Sequence, residues 1–335
     1  MDLFQLTETL IRIESITGNE RAIVRFLQEY LTVAGFTVHL QEVAKERHNL
    51  FAFIEDPILV FSTHVDTVSP SLAFHADQDF LYGRGACDAK GSLSAMIRAA
   101  ELLVSDHFHS IGLLFLVGEE RDSEGARCAN TLSNRCRYLI GGEPTENKLA
   151  IGSKGAIRFE LKTFGKSAHS AYPEQGESAV EKLLDILERF RRMSFPSHPI
   201  LGKTTINIGK LFSDSPANVI PDYASAELMM RTVQDVEEVK ALIQPLIGEN
   251  AEVEYRFACN PMLFDVPSGF ETTVVAFTTD LPLLSAWGKP FLLGPGSILD
   301  AHTPHEKIAK AELEKAVHLY VQLAKQLLQA GKGVQ

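Results

Sequence analysis

Cysteine is scarce in this chain. Only Cys87, Cys128, Cys136 and Cys259 occur in 335 residues, and no two form a C-x-x-C pair. They read as free thiols of a reducing cytoplasm, with a Cys128–Cys136 bridge as the lesser alternative. Basic residues are in deficit as well. The chain has 32 Lys and Arg against 43 Asp and Glu, a net charge of −11. A nucleic-acid binder would show a basic face, so that balance argues against such a partner. No apolar run reaches the ~18 residues of a membrane span, so no membrane partner is expected either. The opening MDLFQLTETLIRIES has early acids and a helical period. It lacks the basic flank and apolar core of a secretory signal, and a cytoplasmic location is expected. Repeats and low-complexity tracts are missing too. What is present is the make-up of an ordinary globular protein, 45% apolar and 22% charged. The length suits one large domain or two ordinary ones.

Residues 2–15 and 19–35 read as helices, with Thr17 or Asn19 as the cap between them. HNLFAFI and PILVFSTH read as strands, residues 91–104 as a helix, and IGLLFLVG and RYLIGGEPT as further strands. Short, continuously apolar strands alternating with helices predict an α/β sheet covered on both faces. The pattern changes near residue 155. AIRFELKTFG alternates apolar and polar residues, as a half-exposed strand does. A helix at 175–193, strands at 204–212 and 222–231, a helix at 234–247 and a strand at 251–258 follow. That order is βαββαβ, a ferredoxin-like α+β unit. FLLGPGS and a closing helix at 306–330 return to the first style. The predicted division is therefore a domain of residues 1–155 and 263–335, interrupted by an inserted domain of residues 156–262.

One stretch poses a chemical problem. LFLVGEE ends a buried strand on two adjacent carboxylates, Glu119 and Glu120. Like charges this close are costly unless a cation or a shared proton compensates. Other candidates sit at the same kind of position. His64 ends the strand ILVFS, and Asp66, two residues on, can share its face. Asp88 lies in the glycine-rich turn YGRGACDAKG before a helix. Glu143 directly follows a strand, and His302 and His305 follow the last strand-like run. Sites in open α/β sheets form at strand carboxyl ends. Imidazoles with hard carboxylates are the ligand set of a zinc-type divalent centre, and a bridging Asp would let two metals share charge. One Glu of the pair could then bind metal while the other moves protons. His75, His107, His109 and His198 read as surface residues.

STHVDTV, GRGACDAKGSL, GEE and GEPT, in this order, resemble the dinuclear zinc aminoacylase and carboxypeptidase superfamily, peptidase family M20, over nearly the whole chain. The resemblance implies a mixed-sheet, zinc-peptidase-like catalytic domain with an inserted dimerisation, or lid, domain. It implies His64, Asp88, Glu120, Glu143 and His302 as metal ligands, with Asp88 bridging. Glu119 matches the general base and Asp66 the partner that orients His64. His305 falls where relatives often carry an acid and is set aside. In the insert, GKSAHSAYPEQGES implies that His169 reaches into the partner subunit's site. Tyr172, Asn218 and Arg231 match substrate-contacting positions, although Met229 stands where members often carry an Asp two residues before that Arg. The implied cofactors are two divalent ions, zinc first, with cobalt or manganese possible. The implied assembly is a homodimer through the lid. GPGSILDAHTPHE is most similar to acetylornithine deacetylase, so the expected substrate is a small N-acyl amino acid. Deacylases of acetyl-lysine, acetylcitrulline or succinyl-diaminopimelate type, and metallo-dipeptidases or carboxypeptidases, are the alternatives. A catalytically inactive dimeric binding protein of the same fold is the alternative of another class, and the intact ligand set argues against it.

Overall fold

The computed structural model describes residues 1–330. The chain divides into two compact units. One is Met1–Ile151 with Phe264–Thr273 and the chain from Thr279; the other is Gly152–Leu263 with Val274–Thr278.

The first unit begins with helices α1 (Leu3–Arg12) and α2 (Arg21–Val33). Asp2 starts α1 through a capping box: its carboxylate accepts the Gln5 N–H at 2.8 Å and the Gln5 side chain accepts the Asp2 N–H. α2 has no side-chain cap. Thr17, a candidate for that role, donates instead to Asp66 at 2.7 Å.

Strands β1 (Thr37–Ala44), β2 (Arg47–Phe53), β3 (Leu59–His64), β4 (Ile111–Leu116) and β5 (Tyr138–Gly141) join Lys289–Leu292 in one sheet. Their spatial order is β1-β2-β4-β3-β5, then Lys289–Leu292. The β1–β2 and β2–β4 pairings are antiparallel, and the other three are parallel. β3 and β4 are buried at every residue, which is why β4 is an unbroken apolar run. Helix α3 (Lys90–Ser105) and the closing helix Lys310–Ala330 contribute Leu93 and Tyr320 to a core shared with Leu6, Leu27, Phe61 and Phe115. Because β3, β4 and β5 run parallel, their carboxyl ends open at one edge. Each of them ends at or just before a candidate ligand: His64, the Glu119–Glu120 pair and Glu143.

The inserted unit runs β6 (Gly155–Phe164), α5 (Ala179–Arg192), β7 (Thr205–Phe212), β8 (Tyr223–Thr232), α6 (Val236–Ile247) and β9 (Ala251–Cys259). Its sheet is antiparallel throughout, ordered β7-β8-β6-β9. Ile157, Phe159 and Leu161 of β6 face a core with Phe190 and Ile243 from the helices. The alternate residues Arg158, Glu160 and Lys162 pair with Glu227, Arg256 and Glu254. β7 is an edge strand that exposes Leu211 and Phe212.

Cys128 and Cys136 are free thiols, so the bridge between them does not form. Among the described residues, no helix is long and apolar enough to cross a membrane.

Candidate active site

His64, Asp88 and Glu143 bring one ligand atom each within 4.8 Å of one another, and Asp88, Glu120 and His302 form a second such group. Asp88 belongs to both. His64 Nε2 stands 3.0 Å from Asp88 Oδ1 and 3.9 Å from Glu143 Oε2. His302 Nε2 stands 3.0 Å from Glu120 and 3.4 Å from Asp88 Oδ2. The two carboxylate oxygens of Asp88 therefore face the two imidazoles.

Each side chain is held by local structure. His64 Nδ1 donates to the backbone oxygen of Asp66 at 2.9 Å, which fixes the neutral tautomer with Nε2 as the ligand atom. The Asp66 carboxylate stands farther off, at 3.6 Å from that ring. It accepts instead from the backbone N–H of Glu119 (3.1 Å) and Glu120 (3.2 Å), and from Thr17. Asp66 thus orients the glutamate pair directly, whereas the ring is oriented by its main chain. Sequence spacing put His64 and Asp66 side by side, but it could not show the Glu119–Glu120 turn arriving from β4.

That turn has further clasps. Asn49 on β2 is fully buried; its side chain accepts the Val117 N–H at 3.2 Å and donates to the Gly125 oxygen at 2.8 Å. The loop is thereby closed at the start of the short helix α4 (Glu124–Ala129). Buried Arg47 pairs with Glu20 at 2.6 Å and with Glu124. Gly118 has φ +80, and a side chain there would also crowd the Arg47 guanidinium. Glu143 follows Gly142, whose N–H donates to the Ser62 oxygen at 2.9 Å and whose oxygen accepts from Thr63 at 2.8 Å. A Cβ on Gly142 would strike Met96 of α3 at 2.5 Å. His302 takes left-handed backbone, φ 61, which is uncommon for a residue other than glycine.

The electrostatics are those of a buried acid cluster facing two imidazoles. Burial raises Glu119 and Glu143 well above the carboxyl range; His64 opposes the shift, and Asp280 and neighbouring acids reinforce it. Glu120 is raised by burial against its hydrogen bond with His302. Burial works against ionisation of Asp88, but the two imidazoles outweigh it and hold its pKa below the usual range. Burial likewise disfavours charge on His64, yet Asp66 and Asp88 hold its pKa well above the ordinary value. Hydrogen bonds with Asp88 and Glu120 raise His302 to about 10.

Asp280 had no place in the sequence reading. It is 7% exposed, and neither carboxylate oxygen has a hydrogen-bond partner among the described residues. Burial raises it to about 6, and the charge of nearby His64 opposes the rise. It lines a small cavity with Ser62, His64, Gly141 and Glu143. Its only sequence signal was the acid in TTDLP, which follows no recognisable strand.

Within the inserted unit, the segment Ala168–Ser170 pairs with Asn218–Ile220, which sets exposed His169 and Asn218 near each other. His169 Nδ1 accepts the Ala171 N–H at 3.1 Å, so the neutral ring carries its proton on Nε2. Tyr172 is exposed, with its ring edge-on to His169 at 6.3 Å. Arg231 lies on β8 and donates to the Thr278 hydroxyl at 3.1 Å. His305 is exposed and belongs to neither donor group.

The donor set suits a pair of divalent cations. Each group offers one imidazole and two carboxylates, and no thiolate takes part, since Cys87 Sγ bonds to the Ser297 oxygen. Clustered acids at parallel strand ends, in a chain that also carries an inserted ferredoxin-like unit, define a metallohydrolase type of architecture. Residues 151–254 match the family model of a peptidase dimerisation domain. A peptidase M20 domain-containing protein of Schizosaccharomyces pombe is 38% identical, covering 95% of this chain and 83% of its own length. A probable carboxypeptidase of Aspergillus terreus is 36% identical, with 94% and 84% covered. Among solved structures, a tripeptidase from Staphylococcus aureus superposes with a TM-score of 0.79 at 23% identity, covering 95% of this chain and 96% of that one. A dinuclear metal-binding M20 peptidase from Bacillus subtilis gives 0.72 at 16% identity, with 98% of each covered. The chain belongs to the M20 peptidase family and is a hydrolase of amide bonds.

Proposed function

We propose that this protein is a two-metal hydrolase that cleaves an amide whose amine component is an α-amino acid, releasing that amino acid from its acyl group. The substrate is a small N-acyl amino acid, of the acetylornithine type first. Release of a carboxy-terminal residue from a short peptide is the second reading, favoured by the relatives named carboxypeptidases. Both have the same leaving group, an amino acid with a free carboxylate. The observation that carries the proposal is the pair of donor groups sharing Asp88, with the Glu119 carboxyl interacting electrostatically with His64, Glu143 and Glu120.

His64 and Glu143 would hold one divalent ion, Glu120 and His302 the other, and Asp88 both; zinc, cobalt and manganese suit the set. Ions held there would polarise the amide carbonyl and make water acidic enough to attack near neutral pH. Glu119 is left out of both groups and is free to take the proton of the attacking water. It returns that proton to the amide nitrogen as the C–N bond breaks, giving a carboxylic acid and an amine. Its carboxyl, buried among Glu120, Glu143 and Asp280, is raised above the usual range before any cation is bound. His169 of the partner subunit, with the proton on Nε2, would donate to the carbonyl oxygen as it gains charge. Asn218 and Tyr172 would line that contact. Arg231 would take the substrate carboxylate through its planar fork. The exposed edge and apolar tip of β7 suit pairing of two inserted units in a homodimer.

The test is turnover of N-acetyl and N-succinyl amino acids beside matched dipeptides, each with added zinc or cobalt and each with its carboxylate free or amidated. Release of amino acid only from free-carboxylate compounds is expected. Equal turnover of amidated compounds would remove Arg231 from its role. No hydrolysis of any of them by metal-loaded protein would overturn the reading.

A further inference from the structure

Glu306, four residues past His302, is 1% exposed, and it has a full set of partners. Its Oε1 accepts the backbone N–H of Cys87 at 3.1 Å and of Asp88 at 3.2 Å. Its Oε2 accepts from Arg84 Nη1 at 2.7 Å. The same guanidinium donates to the Thr303 oxygen at 3.2 Å and, through Nε, to the Pro70 oxygen at 3.1 Å. The Glu306 backbone oxygen accepts the Gly83 N–H at 3.1 Å. Glu306 therefore clasps the glycine-rich turn at both ends, through its backbone oxygen at Gly83 and its carboxylate at Arg84, Cys87 and Asp88, and ties it to the loop carrying His302.

That turn holds the one side chain common to both donor groups. Asp88 presents one oxygen to His64 and the other to His302, so a small rotation of its backbone would misplace both at once. We propose that Glu306 is a positioning residue for the metal centre. It holds the Asp88 main chain through Oε1 and keeps the His302 loop in register with it. This role rests on the reading of Asp88 as the shared ligand. A buried ion pair with Arg84 could exist for stability alone, and such pairs are weak evidence for anything more. The two roles separate chemically. Stability needs the charge pair, whereas positioning needs an acceptor at Oε1.

Two double variants make that separation without leaving a buried charge unpaired. R84M/E306Q removes the ion pair and keeps an acceptor; R84M/E306L removes both. Metal-free preparations of each and of the wild type are titrated with zinc against a chromophoric chelator, and the cobalt-loaded forms are compared by visible absorption. Thermal melting controls for the fold. The Gln variant is expected to bind near wild-type affinity with an unchanged cobalt spectrum. The Leu variant is expected to lose the ~10–100-fold typical of removing a ligand's supporting hydrogen bond, with an altered spectrum. Equal affinities and spectra for the two would overturn the role and leave Glu306 a stability residue. If the Leu variant does not fold, Glu306→Asp decides. It keeps the charge but is one methylene short, and wild-type affinity there would overturn the role. Wild-type protein that takes up no metal would overturn the site reading itself and this role with it.

Discussion

Metal uptake should tighten steeply with pH, because both imidazoles hold protons that a cation must displace. His302 shows the size of the effect. Its hydrogen bonds with Asp88 and Glu120 raise its pKa from 6.5 to about 10. At pH 7 a group of that pKa is neutral in about one molecule in 10³, so apparent affinity should rise about tenfold per pH unit toward 10. The side chain is 49% exposed, and solvent screening trims the total gain to roughly 10–10²-fold. His64, also raised, adds in the same direction. The raised acids do too, since Glu143 and Glu120 must ionise to bind. The sign carries over to stability. A folded-state pKa above the unfolded value stabilises the metal-free protein fully below about pH 6.5 and is lost as pH rises toward 10. Metal-loaded protein, with neutral rings, escapes that loss, so the two melting temperatures should diverge across this window. The assay is calorimetric titration of metal-free protein with zinc from pH 6 to 8, in buffers of different ionisation enthalpy, to count protons released. Affinity flat across that range, with no proton release, would refute the reasoning.

Glu119→Gln should keep both metals and lose ~10²–10⁴-fold in kcat, while Glu120→Gln should weaken one metal; elemental analysis beside kinetics separates them, and equal metal loss would undo the assignment. Asn49→Ala leaves the Val117 N–H and the Gly125 oxygen without their partner, and should destabilise the fold by about 2–4 kcal/mol in urea melts. His169→Ala should cost ~10²–10³ in kcat. Mixed with Glu119→Gln under subunit exchange, it should regain part of the activity if His169 works across the dimer. Verified heterodimers without recovery would place it outside the partner's site.

His64, the Glu119–Glu120 pair and Glu143 could be read from the sequence because each sits where an apolar run stops, and a buried parallel strand declares itself by composition alone. β4 and β5 are such runs, and the residues just past them are Glu119, Glu120 and Glu143. The switch to alternation at AIRFELKTFG likewise announced β6, because a sheet with one covered face prints its period on the chain. β1 was invisible: Thr37–Ala44 is largely exposed, has no strong alternation, and is a strand because β2 pairs with it. Helix α4 is too short to show a period. The supporting residues were hidden for a related reason. Asp66 reaches Glu119 across 53 positions, Asn49 reaches Val117 across 68, and Glu306 reaches Asp88 across 218. The sequence determined which residue types end which strands, because local burial fixes composition. Only the tertiary structure decided which acid holds which backbone. That depends on the order β2-β4-β3-β5, which interleaves distant segments, and nothing local in the chain encodes that neighbourhood.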